Sequence, residues 1–124
     1  MKLTLVALLV DDYARGIGFF AALGFTLIAD EDQGGGKRWV VMRPAGGGSD
    51  LLMAKALGAQ RDAMGHQAGG RVGFFLETDD FDRDAAKVVA AGGVFEEEPR
   101  SEIYGRVAVF RDPFGNRWDL IQPA

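Results

Sequence analysis

Shifted by 68 residues, this chain falls on itself. Asp12-Tyr13 meets Asp80-Phe81, Gly24 meets Gly92, and Val41-Met42-Arg43 meets Val109-Phe110-Arg111, while LVALLVDDY from Leu5 meets GFFLETDDF from Gly73. One extra residue assigned to the last turn of the second copy makes the shift 69 beyond it and lays Asp50-Leu51-Leu52 on Asp119-Leu120-Ile121. A shift held through four elements implies one supersecondary unit used twice. Such a unit cannot cover its own sheet, so the two copies are expected to pair around a shared, cup-like space.

Each copy reads β-α-β-β-β. Leu3 to Val10 is an apolar run of strand length, Asp11-Asp12 offers an N-cap for YARGIGFFAAL, and Gly24 ends that helix. Gly16 and Gly18 lower helix propensity and suit close packing on a sheet. Strands follow at Phe25 to Ala29, Arg38 to Arg43 and Asp50 to Ala54, separated by a polar, Gly-rich turn over Glu31 to Lys37 and a second turn over Pro44 to Ser49. The predicted fold class is α+β: two tandem βαβββ modules, 1–54 and 71–124, forming a cup-shaped, partly open mixed sheet with helices on its outer face. Residues 55–70 are the linker within a single 1–124 domain, with a helical turn in its middle.

The bulk numbers narrow the function classes. An apolar fraction of 48% with 26% charged residues is ordinary for a globular protein. No apolar run approaches the ~20 residues of a membrane span, and Met1-Lys2 leads straight into strand-like sequence, so the expectation is a cytoplasmic protein without a membrane partner. The absence of cysteine removes disulfides, thiolate catalysis and thiolate metal sites. A net charge of −4 and a pI near 4.9, without a Lys/Arg cluster, argue against nucleic acid.

The clearest local plan is the closing hairpin, RVAVFRDPFGNRWDLIQP, in which Asp112-Pro113-Phe114-Gly115-Asn116 supplies the reversal. A carboxylate, Asp119, stands inside its second arm, where a half-buried sheet face usually carries an apolar side chain. Strand alternation then gives a lining list. With Asp119 inward, Arg117 and Ile121 follow, and a five-residue turn pairs Val109 with Asp119 and Val107 with Ile121. Trp39, Val41, Asp50 and Leu52 are the equivalents in the first copy. The first strands add Leu5, Ala7, Leu9, Gly73, Phe75 and Glu77. The other parity, Val6, Leu8, Val10, Phe74, Leu76, Phe110 and Trp118, is expected under the helices.

Two βαβββ modules, the VALLVDD opening and DPFGNRWDL near the end together resemble the vicinal oxygen chelate superfamily, which includes glyoxalase I, bleomycin-resistance proteins and extradiol dioxygenases. The resemblance spans essentially the whole chain. It implies a His in the first strand of a metal-using module and a carboxylate in the last; those positions hold Leu5, Asp50, Gly73 and Asp119. Both first-strand positions lack a donor atom, so the expectation is a family member with its metal site lost and no cofactor, a divalent metal being the disfavoured alternative.

The expected ligand-binding residues are Trp39, Val41, Asp50, Leu52, Phe75, Glu77, Tyr104, Val107, Val109, Asp119 and Ile121, with Asp119 the candidate catalytic group. Asp119 reads as a general base, a weak metal ligand or an acceptor for a ligand amine; the plain alternative is a carboxylate satisfied by a neighbouring Arg or Tyr. Asp50 beside Gly46-Gly47-Gly48 also reads as a turn-stabilising residue. His66 reads as a surface linker residue, and Glu96-Glu97-Glu98 as a solvated run whose partners are Arg100 and Arg111. Three functions compete: a metal-free protein binding a small, partly aromatic or cationic molecule; a glyoxalase-type lyase or isomerase using Asp119 or Glu77; and a dimeric module whose cup its own side chains fill. A homodimer is expected, with exchange of modules between chains one way to build it.

Overall fold

The computed structural model describes residues 1–124, and the chain divides into two compact units, Met1–Met64 and Gly65–Ala124. No helix is long and apolar enough to cross a membrane.

In the first unit, β1 (Leu5–Val10), α1 (Tyr13–Ala22), β2 (Thr26–Asp32), β3 (Arg38–Arg43) and β4 (Asp50–Lys55) form a four-stranded mixed sheet of order β1-β4-β3-β2. The Asp12 carboxylate caps α1 by accepting from the Ala14 N–H at 3.0 Å. A Cβ on buried Gly16 would lie 3.0 Å from the Met53 sulfur and 3.2 Å from Val10, so glycine there sets how closely α1 approaches the sheet. Gly18 has no such neighbour. Leu8, Val10, Phe20, Val40, Met42 and Met53 are fully buried. Strand β2 runs three residues beyond Ala29, because β3 supplies partners as far as Asp32↔Arg38 and Arg38 holds Asp30 by two hydrogen bonds. Strand β1 starts at Leu5 rather than Leu3, where its partner strand β4 begins at Asp50.

The second unit contains β5 (Phe74–Glu77), α3 (Phe81–Ala91), β6 (Val94–Phe95), β7 (Arg100–Glu102), β8 (Gly105–Arg111) and β9 (Arg117–Pro123). Its sheet has the order β5-β9-β8-β6, with β7 also paired to β8, so neither sheet closes into a barrel. The single strand β2 of the first unit is here two short pieces, separated by Glu96 to Pro99. Proline has no N–H to donate to a ladder. Asp80 caps α3 at the Arg83 N–H, and Gly92 ends it at φ +106°. Ala108, Phe110, Trp118 and Leu120 are buried on the strand parity assigned to the helix side, and Phe81 and Val88 of α3 are buried as well.

Residues 55–70 are not a free-standing connection. Lys55 ends β4, Ala56 is buried and donates to the Val10 carbonyl, α2 (Gln60–Ala63) is a single turn, and Gly65 lies where a side chain would collide with the Phe114 carbonyl. Backbone groups at each end are thus used by the nearer unit.

Asp84, on the first turn of α3, accepts from the Arg83 guanidinium and the Thr78 hydroxyl. Arg83 above all, against the opposing effect of burial, lowers its carboxyl to about 2. A lowered folded-state value stabilises the fold above the ordinary carboxylate range, and that stability is lost as pH falls toward about 2. Asp84→Asn is therefore expected to cost about 1 kcal/mol at neutral pH, allowing for solvent screening, and to flatten the acid limb of the stability profile. Urea unfolding at neutral and acid pH checks this; an equal cost at both would assign the residue no linkage.

Candidate functional site

The turn that aims Asp119 is built around Asp112, which is 4% exposed. Its carboxylate accepts from the Phe114 and Asn116 N–H groups at 2.9 and 3.0 Å, from Asn116 Nδ2 at 2.8 Å and from Trp118 Nε1 at 2.9 Å. Gly115 takes φ +99°, a backbone conformation that side chains disfavour. This five-residue reversal produces Val109↔Asp119 and Val107↔Ile121, the expected register.

On the other side of β9, the parallel strand β5 places Phe75 beside Asp119 and Glu77 beside Ile121. Asp119 therefore sits on a central strand between Phe75 and Val109. Phe75 is 64% exposed, whereas Val107 and Val109, at 1% and 6%, form a buried floor. The Oδ1 atom of Asp119 is buried, yet no protein group donates to it. Burial pushes the carboxyl above its ordinary range; the Arg100 charge opposes this, Glu97 reinforces it and Arg117 opposes it. The plain alternative, a carboxylate already satisfied by an Arg or Tyr, does not hold for that oxygen.

The two arginines are occupied elsewhere. Arg117 gives Nε and Nη2 to Glu96 at 3.1 and 2.8 Å, and Nη1 to the Gly70 carbonyl at 3.2 Å. Arg111 Nε lies 2.6 Å from the other Glu96 oxygen. Arg100 pairs with Glu97 and Glu102. The pairing of Arg100 and Arg111 with this acidic segment follows the sequence expectation. Reading Glu96 as one of three solvated acids misses its second guanidinium partner, Arg117, which is 21 residues away in sequence.

The first unit corrects the repeat. There Val41 pairs with Leu52, and Ala7 pairs with Leu52 from the other side. Asp119 has the corresponding partners, Val109 and Phe75, so its counterpart is Leu52, a shift of 67. The turn of the second copy is one residue shorter than Pro44 to Ser49, not longer, and β4 is displaced accordingly. Asp50 corresponds instead to Arg117. It is held by Arg43 through two 3.0 Å hydrogen bonds, which lower its carboxyl. That satisfies the turn-stabilising reading and leaves Asp50 less free to meet a ligand. Trp39 and Leu52 are half-buried and Val41 is buried on the same strands. Tyr104 is 52% exposed in the β7–β8 turn, and His66 is exposed. No group of three or more His, Asp or Glu side chains is placed to hold a metal ion.

The family model of the Glyoxalase/Bleomycin resistance protein/Dioxygenase superfamily matches residues 2–120. The chain belongs to that superfamily. An uncharacterized protein of Shewanella frigidimarina is 48% identical over 121 residues, covering 94% of this chain and 90% of that one. Among solved structures, TnmS3, an antibiotic binding protein from Streptomyces sp. CB03234, is 29% identical with a TM-score of 0.77, covering 100% of this chain and 97% of that chain. A glyoxalase/bleomycin resistance protein from the same organism is also 29% identical, with a TM-score of 0.72 and coverage of 98% and 100%. In this superfamily member the DPFGN turn leads into β9, which carries Asp119.

Proposed function

We propose that this superfamily member binds a small, partly aromatic or cationic molecule, with Asp119 accepting a ligand N–H or O–H and Phe75 stacking beside it. The observation carrying this reading is the buried Asp119 oxygen without a protein donor, next to an exposed aromatic ring. A buried acceptor left unmet costs about 1–3 kcal/mol, and a ligand donor recovers that cost while gaining a charge-assisted hydrogen bond. The likeness to TnmS3 supports binding rather than turnover. The donor set does not fit the divalent ion that the superfamily uses: Leu5, Leu52 and Gly73 offer no donor, and Asp50 is engaged by Arg43. The second reading, a carboxylate-based lyase or isomerase, draws on the raised Asp119 carboxyl, since a general base works best when its proton affinity approaches the working pH.

Calorimetry with a panel of planar amines, glycopeptide antibiotics and neutral aromatics tests the proposal. At least one cationic compound is expected to bind, and Asp119→Asn is expected to weaken it about tenfold or more while neutral compounds lose less. Binding should also weaken as acid protonates Asp119. Equal losses for both classes would mean that Asp119 only shapes the surface, and turnover lost in Asp119→Asn would favour the lyase reading.

A further inference from the structure

We infer that Glu96 is a positioning residue: it holds Arg117 and Arg111 on its own carboxylate and so keeps the Asp119 carboxyl free to meet a ligand. The inference rests on the binding reading above for its purpose, but its geometry stands alone. In the β8–β9 ladder Arg111 lies directly opposite Arg117. Two like charges across a ladder repel, so an acid between them is needed, or one guanidinium must turn away. Arg117 has a carboxylate within easy reach of such a turn, because Asp119 is two residues along the same strand and on the same face.

The first unit needs no such acid, because its two corresponding positions carry opposite charges. There Arg43 is the counterpart of Arg111 and Asp50 that of Arg117, while β2 carries a bulge between Leu27 and Ala29 where β6 gives way to Glu96. Arg43 meets Asp50 directly through Nε and Nη2, each at 3.0 Å, with no third group between them. In the second unit the backbone N–H of Glu96 is bound to the Val109 carbonyl at 2.9 Å, which fixes the residue over the β8–β9 ladder. Its carboxylate then takes Arg111 at 2.6 Å and Arg117 at 2.8 Å, and these guanidinium groups lower it, Arg117 most. Of the other groups around Asp119, Arg100 on β7 is held by Glu97 and Glu102, while β5 and β8 present uncharged Phe75 and Val109. Each arginine near Asp119 thus has a glutamate keeper.

Carbon-detected NMR titration of the Asp119 carboxyl, without any ligand, tests this. Glu96→Ile removes every side-chain acceptor at that position; release of Arg117 onto Asp119 is expected to lower the titration midpoint by about one pH unit or more. Glu96→Gln preserves shape and a neutral acceptor, and should give a smaller shift in the same direction. Adding Arg117→Gln to either variant should return the midpoint to the wild-type value or above. A midpoint unmoved in both single variants, or one that Arg117→Gln fails to restore, overturns the inference. Failure of every compound to bind the wild-type protein would count against the binding reading alone.

Discussion

Asp112→Ala is expected to lower the unfolding free energy by about 3–5 kcal/mol. The Asp112 carboxylate serves four donors, and two of them, Asn116 Nδ2 and Trp118 Nε1, belong to side chains that are 3% exposed. Alanine removes every acceptor while leaving the donors in place, so each loses its partner away from water. The turn also sets the β8–β9 register, so loss of its brace should be felt at Asp119 as well. Urea unfolding supplies the free energy, and the indole Nε1 proton of Trp118 supplies a local probe. A loss under about 1 kcal/mol would show that water or a relaxed turn replaces the carboxylate.

Phe110→Ala should cost a similar amount, about 3–5 kcal/mol, by a different route. Phe110 is fully buried, stacked on Trp118 with ring centroids 6.0 Å apart and set edge-on to Phe95 at 5.7 Å. Truncation removes the transfer free energy of a phenyl ring and leaves a cavity that the ladder on both sides prevents from collapsing. Because Phe110 and Asp112 both brace Trp118, the double variant should lose less than the two single losses combined. Strict additivity, measured by the same unfolding series, would mean that the indole is held by its other neighbour, Phe74, at 4.6 Å.

Several links from sequence to structure run through local chemistry. The two long helices, α1 and α3, start at Asp12 and Asp80 and stop at glycines, since capping and positive φ are decided within a few residues. The parity of β1, β5, β8 and β9 follows from alternation alone, and it separated buried Leu8, Val10, Phe110 and Trp118 from the face that bears Asp119. The five-residue turn sufficed to pair Val109 with Asp119. Superfamily membership was legible for the same reason, because the DPFGNRWDL stretch is a self-contained turn whose Asp, Gly and Asn each meet a local need.

By itself, then, the sequence determined the tandem βαβββ order, the strand faces and the presence of a carboxylate inside β9, all features with a range of a few residues. Only the tertiary structure decided which residues of the two copies are equivalent, because an alignment matched Asp50 to Asp119 by identity whereas strand pairing matches Leu52 to Asp119 and Asp50 to Arg117. It alone decided the fate of the charges too. Glu96 is 21 residues from Arg117, and whether a carboxylate is paired depends on which guanidinium the ladders bring within about 3 Å. Ion pairing is a property of distance in space, and the order of residues does not show that Arg43 holds Asp50 while no protein group reaches the buried oxygen of Asp119.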